Sequence, residues 1–144
     1  QRQSIFIPGN PPSTNRREKI YFFRNKDDKL ILNKQGNPKC VLTQSYVTHS
    51  YIKFTDHYFQ VLKDEFLRLI KGKPYPIKVQ FLFYRERKEK WDFNNMTQTV
   101  QNQMVKWKWI CDDDVEHLLI YPPIKYPYFI IDPYNSGVLI TIIS

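Results

Sequence analysis

The sequence of 144 residues has only two cysteines, Cys40 and Cys111, and four glycines. Two cysteines cannot build a disulfide framework or a cysteine-based zinc site, and they favour a reducing compartment. Gly9 and Gly36 belong to turns, and no glycine-rich phosphate-binding loop is present. No uncharged apolar run approaches the roughly 18 residues that span a bilayer, so we expect no membrane partner.

Basic and aromatic residues are what the sequence has in excess. The chain carries 22 Lys and Arg against 14 Asp and Glu, a formal net charge of +8. Its hydrophobic content of 42% and aromatic content of 16% exclude a disordered chain, and its length predicts one domain over residues 1–144. A small basic, aromatic-rich domain favours a polyanionic partner such as nucleic acid. The alternative is a basic protein with a solvated surface.

The periodicity of apolar residues predicts a mixed α and β fold. Strands are predicted at residues 4–7, 20–24, 30–32, 77–84, 115–121, 126–131 and 137–143, with 20–24 paired to 30–32 across a polar turn. A first helix over 45–70 is predicted from apolar residues at steps of three and four: Tyr51, Phe54, Tyr58, Leu62, Phe66 and Leu69. A second helix runs to Lys106 from residue 94 or 95, with a buried stripe of Met96, Val100, Met104 and Trp107. We therefore expect an α/β (α+β) domain with a mixed sheet and two main helices.

Acidic residues flank this second helix. Asp92 precedes it, and Asp112, Asp113 and Asp114 follow it. A helix that packs back on the sheet could bring the two groups together. Carboxylate oxygens suit Mg²⁺, and one or two such ions activate water in phosphodiester hydrolysis. The alternative is that Asp92 caps the helix and the aspartate run is a solvated turn.

Basic residues lie close to these acids in the sequence. They form an N-terminal set, a set before Asp92 and a pair after the second helix: Arg16, Arg17, Lys19 and Arg24; Arg85, Arg87, Lys88 and Lys90; Lys106 and Lys108. Such residues would hold a phosphate backbone, although ordinary solubility explains them as well. The three histidines, His49, His57 and His117, have no evident acid or nucleophile partner, and we expect them to be structural.

Three segments of the chain resemble RusA-type Holliday junction resolvases. Residues 6–16 read as a strand, a proline-rich loop and an Asn-Arg pair, like the N-terminal segment of that family. Residues 92–98 (Asp-Phe-Asn-Asn-Met-Thr-Gln) resemble its signature Asp-x-Asp-Asn-Leu-x-Lys at the start of a helix. Residues 109–112 resemble its Trp-x-Asp-Asp segment. The predicted order of elements agrees as well, so the resemblance spans nearly the whole chain.

The sequence departs from the family pattern at four polar positions. Asn94 stands where the family has its second signature aspartate, and Gln98 stands where it has a lysine. Asn102 replaces a helix aspartate, and Cys111 replaces the first aspartate of the Asp-Asp pair. An amide can offer an oxygen to a metal, but it lacks the charge that favours Mg²⁺ binding.

The later acidic ligand is ambiguous by one residue. Counting from Asp92 without gaps selects Asp113, whereas aligning on Trp109 and Val115 selects Asp112. We favour Asp112, because two anchors agree on it.

The resemblance implies a homodimeric, Mg²⁺-dependent endonuclease, with Mn²⁺ as a possible substitute. Its partners would be four-way junctions and other branched DNA, cut in recombination and repair in the cytoplasm of a bacterial or phage-infected cell. The resemblance assigns Asp92, Asn94, Asp112 and Asp113 to the metal and places Gln98 with them in the catalytic group. Our expected DNA contacts are Asn15, Arg16, Arg17, Arg85, Arg87, Lys88 and Lys90.

The neutral residues Asn94 and Gln98 favour an alternative, a non-catalytic nucleic-acid-binding protein on the same fold. Asp92 and Asp112 argue against it, because bare carboxylates repel phosphate unless a metal intervenes. A structural or protein-interaction domain with incidental basicity is a third possibility.

Overall fold

The structure is a computed structural model that describes residues 3–12, 18–44, 46–87, 93–111, 116–123 and 128–143. Within these ranges the chain forms a single small domain with a mixed α+β fold. Its elements, in chain order, are β1 (Ser4–Pro8), β2 (Glu18–Phe22), β3 (Cys40–Gln44), α1 (Tyr46–Val61), α2 (Lys63–Ile70), β4 (Ile77–Arg85), α3 (Phe93–Lys106), β5 (Leu118–Tyr121), β6 (Phe129–Ile131) and β7 (Gly137–Ile142). None of the described helices is long and apolar enough to cross a bilayer.

A five-stranded mixed sheet organises the domain around β4. Strand β7 pairs antiparallel with β4 and, on its other side, with β1. The opposite edge of β4 is shared by two short parallel strands: β5 pairs with its first half, and β6 pairs with its last three residues. The expected mixed sheet is therefore confirmed, with β4 at its centre.

The sequence of β4 explains this central position. Its alternate residues Ile77, Val79, Phe81 and Phe83 are all fully buried, as the alternation predicts. Burying a large apolar side chain contributes about 1.5–3 kcal/mol, so this strand anchors the core.

The strand pair β1–β7 depends on a glycine. A methyl group added to Gly137 would lie 2.5 Å from the carbonyl oxygen of Ile7 and would overlap the ring of Phe6. Phe6 crosses over this position and meets Tyr84 edge to face, with ring centroids 5.7 Å apart. The close approach of the two strands leaves no space for a side chain at Gly137.

The predicted helix over 45–70 is two helices, so the structure has three helices rather than two main ones. The interruption is Leu62, although the amide of Leu62 still donates to Tyr58 and that of Phe66 to Leu62. The apolar periodicity of this segment does not mark the buried face at every position, because Phe54 is 54% exposed while Phe59 is fully buried.

The buried stripe of α1 passes through Thr55 instead of Phe54. Tyr51, Thr55 and Phe59 follow one another at steps of four and are all buried. The hydroxyl of Thr55 donates to the carbonyl of Tyr51 at 2.9 Å, which allows a polar residue to lie on the inner face.

The N-terminal hairpin pairs differently from the prediction. Strand β2 pairs with β3, from Glu18 opposite Gln44 to Phe22 opposite Cys40. The predicted partner, residues 30–32, makes only isolated bridges, including one from Leu30 to Arg24.

Helix α3 is the crossover that connects the parallel strands β4 and β5. Met96, Val100 and Met104 of the predicted stripe are fully buried, whereas Trp107 lies just after the helix and is partly buried. The predicted strands after it are shorter in the structure, with β5 beginning at Leu118 and β6 at Phe129. Because α3 packs its apolar stripe inward, residues on the opposite face such as Asn94 and Asn102 are exposed.

We expect Gly137→Ala to lower the free energy of unfolding by about 3 kcal/mol, because the added methyl group collides with β1. Gly36→Ala is a suitable comparison, since Gly36 has a positive φ of 82° but open space around it. That substitution should cost about 1 kcal/mol for the backbone conformation alone. Urea denaturation of both variants measures the difference, and an equal or smaller loss for Gly137→Ala would contradict the close packing.

Candidate nucleic-acid interface

Four polar side chains follow one face of α3. Asn94, Gln98, Asn102 and Lys106 are spaced by four residues, so they share a face of the helix. The side-chain amide of Gln98 donates to Oδ1 of Asn102 at 2.9 Å. The signature-like residues Asn94 and Gln98 are therefore aligned with Asn102 and Lys106.

Polar contacts join this helix to α1. Nε2 of the buried Gln103 lies 3.1 Å from the carbonyl oxygen of Ile52, 3.0 Å from Oγ1 of Thr55 and 2.9 Å from Oδ1 of Asp56. Farther along, Nε1 of Trp109 donates to the carbonyl of Phe59 at 2.7 Å. Hydrogen bonds to otherwise buried polar groups are costly to break, so the two helices are held at a fixed spacing.

Asp56 is the acceptor at the centre of this contact. Besides Gln103, its Oδ1 accepts from Nζ of Lys106 at 3.0 Å and from Nε1 of Trp107 at 2.9 Å. Burial on its own would raise the pKa of Asp56. The hydrogen bonds from Gln103, Trp107 and Lys106, with the positive charge of Lys106, outweigh burial and lower that pKa below its usual value. The ionised carboxylate of Asp56 therefore links α1 to α3 through its hydrogen bonds with Gln103 and Lys106.

A groove opens beside Asp56 between α1 and α3. It forms a cavity of about 520 Å³ lined by His49, Ile52, Lys53, Asp56, Asn102, Gln103 and Lys106. A neighbouring cavity of about 400 Å³ shares His49 and Lys53 and adds Ser50 and Phe54. We call these two cavities the α1–α3 groove. The groove contains two lysines, Lys53 and Lys106, and one carboxylate, Asp56. Asp56 already accepts hydrogen bonds from three donors, one of which is Lys106.

The N-terminal segment meets the rim of this groove. Gly9 has a φ of 117°, and a methyl group there would lie 3.1 Å from the Phe54 ring and 3.3 Å from Thr55. The amide of Gly9 also donates to the carbonyl of Ser136 at 3.0 Å, which fixes the end of β1. The end of β1 at Gly9 therefore lies against α1 beside the groove, and Asn102 and Lys106 of α3 line the groove from the other side.

Most of the expected site lies outside the described residues. This holds for the expected metal ligands Asp92, Asp112 and Asp113 and for the expected DNA contacts Asn15, Arg16, Arg17, Lys88 and Lys90. Among the residues the structure does describe, no group of three or more His, Cys, Asp and Glu side chains could hold a metal ion. Of the expected metal ligands, only Asn94 is among the described residues.

The described neighbours of the two acidic segments lie at opposite ends of α3. Phe93 begins the helix and packs edge to face on Phe83 of β4, with ring centroids 5.8 Å apart. Cys111 comes after the helix has ended at Lys106. A helix of 14 residues is about 21 Å long. A shared ion between Asp92 and Asp112 therefore stays a prediction.

Arg85 and Arg87 have different surroundings. Arg85 is only 3% exposed, and its guanidinium lies 5.3 Å from the centre of the Phe129 ring. It occupies the inward-facing register of β4, so we leave it out of the proposed DNA contacts. Arg87 is exposed and stays among them.

The α1 side of the groove was missed by sequence reasoning. His49, Lys53 and Asp56 are spaced by four and three residues, which places them on one face of α1. That spacing was available in the sequence, but only the position of α3 makes this face part of a groove. His49, expected to be structural, is an exposed lining residue.

Comparison with known proteins identifies no relative, since no family model matches the chain and no curated protein is significantly similar to it.

We expect the stabilisation by Asp56 to depend on pH. Because its folded-state pKa is lowered, the stabilisation is complete above the unfolded-state pKa of about 3.9 and is lost as the pH falls through the folded-state pKa. Asp56→Asn should lower the free energy of unfolding by about 1–2 kcal/mol at neutral pH. The difference from the parent should close in acid, as the pH falls through the lowered folded-state pKa of Asp56.

Denaturant titrations at several pH values measure this effect. Asp28→Asn is the control, because Asp28 is exposed and forms a surface ion pair with Arg24 at 3.9 Å. Such surface pairs contribute about 0–1 kcal/mol. A loss for Asp56→Asn that stays constant from neutral to acid pH would show that the charge of Asp56 does not stabilise the fold.

Proposed function

We propose that this chain binds branched DNA and acts on it as a Mg²⁺-dependent endonuclease that resolves four-way junctions. The observation that carries the proposal is the meeting at α1 of Gly9, of Asn102 and Lys106 from the α3 face, and of the groove that holds Lys53. Two of the three family-like segments enter this arrangement. The proposal includes the resemblance to RusA-type resolvases, a homodimer, and a cytoplasmic site of action in a bacterial or phage-infected cell.

The groove supports binding of a phosphate backbone. Lys53 supplies positive charge, since the charge of Lys106 is paired with Asp56, and the side-chain amides of Gln98 and Asn102 supply neutral polar groups. Contacts of this kind position a nucleic acid without reading its sequence. Phe54, half exposed at the rim, adds an apolar surface that a sugar or base can cover.

Cleavage would take place at the start of α3. Asp92, Asn94 and Asp112, with Asp113 as the alternative to Asp112, are oxygen donors of the kind that Mg²⁺ binds. The bound ion would supply an activated water and offset charge on the leaving oxygen. Gln98, one turn after Asn94, would position the phosphate through its amide. A two-fold symmetric dimer suits a four-way junction, since two sites can then cut two opposing strands.

Binding without cleavage is the second candidate, and the polar face of α3 favours it. The face presents the amides of Asn94, Gln98 and Asn102 and carries no carboxylate. Neutral amides near the positive charge of Lys53 are compatible with binding a phosphate backbone without any metal ion.

We expect cleavage to respond to the charge at position 94. With Mg²⁺ and a synthetic four-way junction, Asn94→Asp should cut faster than the parent chain, because the added carboxylate strengthens metal binding. Asp92→Asn should abolish cleavage in either background. The measurement is the appearance of nicked strands on a denaturing gel, with and without EDTA.

The binding of the same variants separates the two candidate functions. Junction affinity in EDTA should be equal or higher for Asp92→Asn, because the substitution removes a negative charge near the phosphate. If neither the parent nor Asn94→Asp cuts the junction but both bind it, the non-catalytic function is correct. If neither binds it at low salt, both candidates are wrong.

We also expect Lys53→Ala to reduce the salt dependence of binding. Each phosphate contact contributes roughly 0.9 to the slope of log affinity against log salt, so the slope should fall by about that amount. Lys71→Ala is the matched control, because Lys71 is also exposed but follows α2 and does not line the groove. Fluorescence anisotropy over a series of salt concentrations measures both slopes, and equal slopes would exclude the groove as a contact surface.

A further inference from the structure

Residues 22–40 form an ordered unit in which every residue is exposed. We call this unit the arm. Its three extended segments are closed by a ring of backbone hydrogen bonds. The amide of Phe23 donates to Lys39 at 3.0 Å, that of Lys39 to Ile31 at 2.7 Å, and that of Ile31 to Phe23 at 3.0 Å. The arm is therefore held by its backbone and not by a core of its own.

Two asparagines build the turns of the arm in the same way. Oδ1 of Asn25 accepts from the amides of Asp27 and Lys29, at 2.9 and 3.0 Å. Oδ1 of Asn33 accepts from the amides of Gln35 and Asn37, also at 2.9 and 3.0 Å. Side-chain bonds of this type fix a turn locally, so the arm presents its side chains on a defined frame.

The side chains on that frame are apolar and basic together. Five large apolar residues are 38–57% exposed: Phe22, Phe23, Leu30, Ile31 and Leu32. Five cations lie among them against two carboxylates: Arg24, Lys26, Lys29, Lys34 and Lys39, with Asp27 and Asp28. The ammonium of Lys39 is 5.5 Å from the centre of the Phe23 ring. An exposed apolar surface of this kind indicates a binding site.

We propose that the arm binds nucleic acid at unpaired or unstacked bases, with its lysines on the phosphates and Phe22 and Phe23 against the bases. The proposal rests on the nucleic-acid binding proposed above and adds a second contact surface with a preference for open strands. The charge of the arm identifies the partner. A net +3 beside exposed aromatic rings complements a chain that presents phosphates and flat apolar faces together.

An intact duplex fits this surface less well, because its bases are stacked and its apolar faces are covered. A second copy of the chain fits less well too, since two arms would bring like charges together. Branched DNA offers unstacked bases where its strands exchange, so an arm of this kind would direct the chain to branch points.

The test uses the full chain and three fluorescent probes: an oligothymidine, a duplex of the same length and a four-way junction. Phe22→Ala and Phe23→Ala should each weaken oligothymidine binding about tenfold, because each removes a stacking surface. In both variants the slope of log affinity against log salt should be unchanged. Phe23→Trp should retain binding, which shows that the arm tolerates substitution and that an aromatic ring is required.

Removing a cation from the arm should instead change the salt dependence of binding. Lys26→Ala and Lys34→Ala should each lower the salt slope on oligothymidine by about 0.7, the value for one phosphate on a single strand. Tyr134→Ala is the control, since Tyr134 is a 92% exposed aromatic residue on the turn before β7. It should bind all three probes like the parent.

Two outcomes would overturn the inference. Arm variants that bind all three probes like the parent would exclude the arm from the interface. Loss of binding only in step with dissociation of a dimer, measured by sedimentation, would make the arm an interface between copies.

The proposed function is tested separately by the same data. If the parent binds DNA and Lys53→Ala weakens that binding while the arm variants do not, only the inference on the arm fails. If the parent binds none of the probes at low salt, the inference and the proposed function both fail.

Discussion

The hydrogen bonds between α1 and α3 are the constraint on which the candidate interface depends. Gln103 is buried between the helices and reaches both a backbone carbonyl and the side chains of Thr55 and Asp56. Trp109 adds a second attachment, stacked on Phe66 with ring centroids 4.7 Å apart and bonded to α1. Because these polar groups are satisfied only at one spacing of the helices, that spacing also sets the width of the groove.

Elements whose burial follows local periodicity could be predicted from the sequence. Strand β4 and the apolar stripe of α3 are of this kind, and both are confirmed. The stripe of α1 could not be predicted in the same way. Thr55 replaces Phe54 on the buried face, and part of the reason lies in Gln103, 48 residues away, which bonds to its hydroxyl. A partner so distant leaves no trace in the spacing of apolar residues, so the tertiary contact overrides the amphipathic pattern.

The candidate site could be predicted on one side only. The α3 residues Asn94 and Gln98 were found through a motif, whereas the α1 residues of the groove needed the contact between the helices. Arg85 is a different case. The charged run after β4 indicated a surface residue, but the alternation of the strand already placed Arg85 on the same face as Phe83. The alternation of β4 therefore indicates that Arg85 is buried, whereas the charged run that begins at Arg85 indicates an exposed segment.

The charges on the described surface bear on what the chain can do as it stands. The one carboxylate in the groove, Asp56, is engaged by Gln103, Lys106 and Trp107, and no other acid lines either cavity. A phosphate in this groove meets Lys53 without a free carboxylate beside it, which favours holding a polyanion. Hydrolysis needs the opposite, a concentration of negative oxygens that retains a divalent ion. Binding and cleavage therefore place different demands on α3. In the proposed function, the amide at Asn94 would suit the first, and the aspartates that flank the helix would supply the second.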